Sequence, residues 1–182
     1  MTKEEFEKAC STLRGASRVL AGLRSEEKNA ALMQIADAIE ANAEAILAAN
    51  KNDTDKYAAE HGQCAMLDRL TLTQERIAGI AAGIRDVAAL PDPVGEVAER
   101  FPGADGLEIE RVRVPMGVIG IIYEARPNVT ADCVALCLKT GNAVYLRGSS
   151  SALESNKAIV GIIRAALEET CVPADSVLLM ED

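Results

Sequence analysis

The sequence predicts an α/β architecture, with N-terminal helices followed by a β-α-β-α-β unit of a parallel sheet. Three observations carry this prediction. From residue 1 to about 90, apolar residues recur at helical spacing. From residue 117 that period gives way to short continuous apolar runs, at 117–123, 143–147 and 176–180, with helical patterns between them. Parallel strands joined through helices require right-handed crossovers, which build a doubly wound sheet.

Each element has a local signal. Thr2-Lys-Glu-Glu5 fits a capping box, and Phe6, Ala9, Leu13, Ala16 and Leu20 mark one face of the helix that follows. Ser25 is placed to cap a second helix, with Glu26 and Glu27 favoured by the dipole in its first turn. Leu32, Ile35, Ile39, Ala43 and Ile46 form its stripe. His61, ahead of Gly62, reads as a helix C-terminal residue. A third segment starts near Thr73, carries Ile77, Ile80, Ile84 and Val87, and is ended by Pro91-Asp-Pro93.

Residues 91–106 read as a loop containing the turn signal Asp105-Gly106. Residues 107–114 alternate as a strand whose phase slips between Glu110 and Arg111, which calls for a bulge or a change of environment. Its polar first half suits an exposed edge. The apolar run 117–123 predicts a strand covered on both faces. Residues 128–140 predict a helix with Val129, Cys133, Leu136 and Cys137 on one face and Gly141 just beyond its C-cap. After the strand 143–147, Ser151-Ala-Leu-Glu154 fits a second capping box ahead of Ile159, Ile162, Ile163 and Ala166. Pro173 ends that helix. The division is therefore a helical region and loop at 1–106, a strand for pairing at 107–116, and the βαβαβ portion at 117–182. A central parallel strand normally continues into a covering helix, so the sequence reads as a truncated N-terminal fragment.

Composition excludes several classes. A formal charge of −9 argues against a nucleic-acid or anionic-membrane partner. The acidic, amphipathic N-terminus is not a signal peptide, and no apolar run reaches the roughly 20 residues needed to span a bilayer. Five cysteines without framework spacing predict reduced thiols in a cytoplasmic protein. Neither G-x-G-x-x-G nor the P-loop pattern is present, which argues against the commonest dinucleotide fold and against a P-loop kinase.

Two strand-to-helix turns carry candidate chemistry. Arg147-Gly-Ser-Ser-Ser151 joins a strand end to a helix start, where unpaired N–H groups and the positive dipole end attract anions. Gly148 lets backbone approach a ligand, Ser149 and its neighbours donate, and Arg147 can pair with a phosphate oxygen or a ribose. An ordinary cap with a surface Arg fits the same residues. Asn128, after Pro127, is either an N-cap or an amide donor. Cys133 and Cys137, four apart on one helix, read as buried small hydrophobes. Cys10, Cys64 and Cys171 have no base or glycine-rich turn beside them.

Tyr123-Glu-Ala-Arg-Pro-Asn-Val-Thr130 and Leu138-Lys-Thr-Gly-Asn-Ala-Val-Tyr-Leu-Arg-Gly-Ser-Ser150 closely resemble the glutamate-5-semialdehyde dehydrogenases, or gamma-glutamyl phosphate reductases, of the aldehyde dehydrogenase superfamily. The resemblance runs along the whole chain and implies that it is less than half the family's usual length. It also implies a variant Rossmann-like fold. The implied activity is NADPH-dependent reduction of L-glutamyl 5-phosphate to glutamate 5-semialdehyde in proline biosynthesis, by hydride transfer to a thioester on a catalytic Cys. It implies Asn128 as the oxyanion donor, and Ala125, Arg126, Pro127, Arg147, Gly148 and Ser149 at the NADP(H) site. Arg126-Pro127-Asn128 departs from the superfamily's usual Pro-Trp-Asn. The nucleophile would lie beyond this chain, so the fragment alone would be inactive. A homo-oligomer and the upstream glutamate 5-kinase are the implied partners. The other reading of the residues is a non-catalytic nucleotide-binding or assembly module.

Overall fold

The computed structural model describes residues 1–62 and 64–181; the last residue of the 117–182 unit lies outside them. Helix α1 (Lys3–Leu20) begins on the predicted capping box. The Glu5 amide donates to Thr2 Oγ1 at 3.2 Å, and the Thr2 amide donates to Glu5 Oε2 at 2.6 Å. Leu13, Ala16 and Leu20 are buried; Phe6 is exposed but stacks on Tyr145, ring centroids 5.9 Å apart.

Ser25 is not the cap of α2 (Ser25–Ala41) but its first helical residue. The extended backbone falls on Arg24, whose N–H donates to Glu27 Oε2 at 2.8 Å, so Glu27 closes the turn instead. The stripe from Leu32 to Ile46 is buried, but it spans two helices. The chain bends at Asn42, whose side-chain amide donates to the Ala38 carbonyl, and α3 (Ala43–His61) starts there. Such side-chain bonds to backbone compete with helix continuation. Gly62 ends α3 with φ +68°, a conformation that favours glycine. A short α4 (Ala65–Leu70) precedes α5 (Gln74–Ala89), whose Arg76 amide donates to Thr73 Oγ1.

The stretch 91–106, expected as loop, contains strand β1 (Val97–Pro102), paired antiparallel with β2 (Glu108–Val112). Nearly every residue of this ribbon is exposed, so no hydrophobic alternation marks β1 in the sequence. Cross-strand ion pairs Arg100–Glu110 (2.9 Å) and Arg111–Glu99 (3.0 Å) line it. The register passes from Val97↔Val112 to Glu99↔Arg111. The extra residue is therefore Ala98, on β1, opposite Arg111 and Val112, one position beyond the point where the phase of β2 slips.

The parallel sheet comprises β3 (Val118–Ile122), β4 (Ala143–Arg147) and β5 (Val177–Leu179) in that order, linked by α6 (Pro127–Lys139) and α7 (Leu153–Leu167). β3 is not covered on both faces. It lies at the sheet edge, where Ile119 and Ile121 pack on the core while Val118 and Ile122 point outward, Ile122 being 79% exposed. In β4, Tyr145 turns toward α1, and Val144 and Leu146 are fully buried on the opposite face. α6 and α7 pack on the sheet, and α2, α3 and α5 form a further layer against them.

The buried face of α6 is Thr130, Ala131, Val134, Cys137 and Leu138, with Leu136 exposed. This is one residue, about 100° around the helix, from the predicted stripe. Packing against α2, α5 and α7 as well as β4 selects it. Gly141, φ +73°, follows the C-cap as predicted.

The capping box predicted for α7 does not form. Its first-turn amides are taken by Asp53, a buried residue of α3. Ser155 N and Oγ donate to Asp53 Oδ2 at 2.8 and 2.6 Å, and Glu154 N donates to Oδ1 at 3.3 Å. The carboxylate caps the helix from 102 positions away in sequence.

Candidate functional site

The two turns lie side by side at the carboxyl end of the sheet, where open α/β folds bind ligands. Ile122 pairs with Arg147, and the Tyr123 amide donates to the Arg147 carbonyl at 3.1 Å. β3 therefore runs into the turn 124–126 directly beside the point where β4 runs into 148–152. Ala125 and Ala152, one from each turn, are buried in a small cluster with Leu70.

Arg126, exposed and extended, is the N-cap of α6, though its side chain makes no capping bond. Pro127 is buried at the first helical position, where its missing N–H leaves no bond unmade. Asn128 is the second helical residue and so is not an N-cap. Its amide donates to Asp132 Oδ2 at 3.4 Å, a weak bond. Burial pushes the Asp132 carboxyl up from its ordinary pKa, and the Asn128 amide opposes that shift.

Arg147 is exposed at the end of β4, and among the described residues its guanidinium has no hydrogen-bond or ion-pair partner. The Ser151 amide donates to Ser149 Oγ at 3.2 Å, which leaves the Ser149 O–H to donate elsewhere. The amides of α7 are not free for an anion as the sequence suggests, since Asp53 holds those of Glu154 and Ser155.

A buried polar chain joins the two turns. Tyr123 OH lies 2.7 Å from Thr130 Oγ1, which donates to Asn156 Oδ1 at 2.8 Å. Thr130 spends its proton on Asn156, so Tyr123 donates to Thr130. Burial pushes the Tyr123 phenol up to about 12. Asn156 Nδ2 is buried without a partner among the described residues and sits where a side chain on Gly148 would go. A Cβ there would lie 2.2 Å from Asn156 Nδ2 and 3.1 Å from Tyr123 Cζ. Internal packing alone is thus reason for glycine at 148. Nothing in the sequence pattern marks Asn156 or Thr130 for this role.

Gly148→Ala is expected to destabilise the fold by about 1–3 kcal/mol through overpacking. That corresponds to roughly 2–4 °C in melting temperature for each kcal/mol. Asn156→Ala removes the clashing amide, so the double variant is expected to lose less than the sum of the two single changes. Thermal unfolding of the four proteins measures the coupling, and strict additivity would contradict the contact.

A cavity of about 470 Å³ opens between α4, α5 and the start of α6. Arg69, Arg76, Arg126, Asn128 and Asp132 line it. Arg76 is braced, donating to the carbonyls of Asp68 and Thr71 at 2.6 Å each and to Asp68 Oδ1 at 3.1 Å. Among the described residues, no cysteine lines this cavity. Burial raises the thiol pKa of Cys133, and that of Cys137 to about 11, which disfavours the nucleophilic thiolate.

A parallel sheet with paired polar turns at its carboxyl end, preceded by helices and an exposed ribbon, is the class of protein that these elements define. The chain belongs to the aldehyde dehydrogenase family, whose model matches residues 1–180. Gamma-glutamyl phosphate reductase of Geobacillus thermodenitrificans (strain NG80-2) is 55% identical over 179 residues, 98% of this chain and 43% of the relative. The crystal structure of gamma-glutamyl phosphate reductase from Thermotoga maritima superposes with a TM-score of 0.91 at 47% identity, covering 97% of this chain and 42% of that one. The enzyme of the same name from Saccharomyces cerevisiae gives 0.89 at 35% identity, covering 100% and 47%. The chain spans less than half the length of these relatives. PnpE, solved with nicotinamide adenine dinucleotide, shares the fold at 21% identity and a TM-score of 0.72. These findings bear out the resemblance carried by the two turn motifs.

Proposed function

We propose that the full-length protein carrying this chain reduces L-glutamyl 5-phosphate, with NADPH and a proton, to glutamate 5-semialdehyde, NADP⁺ and phosphate, a step of proline biosynthesis. One observation carries this reading. Asn128, in the first turn of α6, and Arg147-Gly148-Ser149 follow the ends of adjacent parallel strands, in a chain 55% identical to a gamma-glutamyl phosphate reductase.

The residues present fit a phosphorylated dinucleotide. An exposed guanidinium without a counter-ion among the described residues stands beside a serine hydroxyl free to donate, at the open end of the sheet. In this reading Arg147 pairs with the 2′-phosphate, Ser149 donates to the ribose, and Gly148 keeps the turn close to the sheet. Ala125 and Pro127 shape the neighbouring turn at the nicotinamide end. When bound, the cofactor supplies the hydride. Asn128 turns its amide from Asp132 toward the acyl oxygen and donates to the negative charge developing there. The thiol that takes up the acyl group as phosphate leaves comes from the rest of the full-length protein, since none of the five cysteines here lines the Asn128 cavity.

The test is the reaction run in reverse. The full-length protein is expected to reduce NADP⁺ with glutamate 5-semialdehyde only when phosphate is present. The 182-residue chain assayed alone is expected to show no turnover. Turnover by the chain that disappears on Cys133→Ser or Cys137→Ser would move the nucleophile into it and overturn this assignment.

A further inference from the structure

We infer that the cavity beside Asn128 receives the α-carboxylate of an amino-acid substrate, and that Arg69 and Arg126 read it. This rests on the reductase reading above and adds which end of the substrate the cavity holds and by which groups. The cavity's three arginines are not equivalent. Arg76 is committed to Asp68 and the Thr71 carbonyl and serves as a brace for the loop after α4. Among the described residues Arg69 has only Glu124, at 4.0 Å, the limit of an ion pair, its own side chain about half exposed and that of Glu124 mostly so. Arg126 has no side-chain partner among the described residues. The cavity lining carries these three arginines against Asp68 and Asp132, and with Arg76 matched to Asp68 the guanidiniums of Arg69 and Arg126 outnumber the remaining carboxylate.

The planar fork of an Arg matches a carboxylate through two parallel N–H···O bonds. Asp132, bonded to Asn128, lines the same cavity, so within it an anion is drawn to the two arginines and away from that carboxylate. An extended substrate with its reacting carbonyl at Asn128 would therefore place its carboxylate between Arg69 and Arg126. Arg126, which the family resemblance assigns to the cofactor turn, is on this reading a substrate residue that sets specificity.

The experiment uses the full-length protein with two aldehydes: glutamate 5-semialdehyde, and 4-aminobutanal, which is the same chain without the carboxylate. Arg69→Ala and Arg126→Ala are each expected to raise KM for glutamate 5-semialdehyde by at least about tenfold, as for loss of one charge-assisted contact. KM for NADP⁺ and for 4-aminobutanal should stay unchanged, and Arg69→Lys should recover part of the loss. An unchanged KM for glutamate 5-semialdehyde, an equal rise for both aldehydes, or a rise confined to NADP⁺ would each overturn the inference. Should either alanine variant fail to fold, the wild type decides, because equal kcat/KM for the two aldehydes also overturns it. Absence of phosphate-dependent turnover in the wild type would instead defeat the reductase reading itself.

Discussion

Asn128→Ala in the full-length protein is expected to lower kcat by roughly 10²–10³-fold while leaving KM for NADPH nearly unchanged. A contact made only to the charge that develops in the transition state changes rate and not ground-state affinity. The structure sharpens the stability side of this experiment. As an N-cap, Asn128 would cost about 1 kcal/mol on truncation. It is instead the second residue of α6, behind Arg126 and Pro127, and among the described residues its single side-chain bond is the 3.4 Å contact to Asp132. The melting temperature should therefore barely move. Asn128→Asp should lose at least as much rate, because it sets a second carboxylate beside Asp132 where negative charge must form. A melting temperature that falls with kcat unchanged would leave Asn128 a structural residue.

Arg147→Ala should weaken NADPH by about 1.5–3 kcal/mol, the value of a hydrogen bond to a charged group. This is roughly 10–150-fold in affinity. NADH, which lacks the 2′-phosphate, should bind almost as before. Arg147 is exposed and makes no ion pair among the described residues, so its removal leaves no unpaired partner behind and little stability is at stake. Arg147→Lys should recover charge attraction but not the bidentate geometry, giving an intermediate preference. Titrating both cofactors against the three proteins decides the matter, and equal losses for NADPH and NADH would move Arg147 to the ribose that they share.

The features legible in the sequence are those built from neighbours along the chain. The Thr2–Glu5 capping box, the helix start near Thr73, the glycine after α6 and the strand 143–147 all form as read, because each depends on residues within one turn or one short run. The two turn motifs are local in the same sense, and with them the family. By itself, then, the sequence determined the class of fold and the succession of strands and helices along its parallel sheet. Tertiary structure decided which potential contacts are made. Ser25 and Ser151 are acceptable caps on local chemistry, yet Glu27 and Asp53 displace them, Asp53 from another helix. The buried face of α6 turned by one residue because helices packed on it from several sides. β1 escaped notice because an exposed ribbon is held by backbone bonds and ion pairs, which impose no apolar period. Asn156 reaches Gly148, and Arg69 reaches the Asn128 cavity, only after α7 and α4 dock. The physical reason is range. Helix caps, turns and amphipathic periods are short-range energies written in adjacent residues, whereas the walls of a cavity come from segments that only packing brings together.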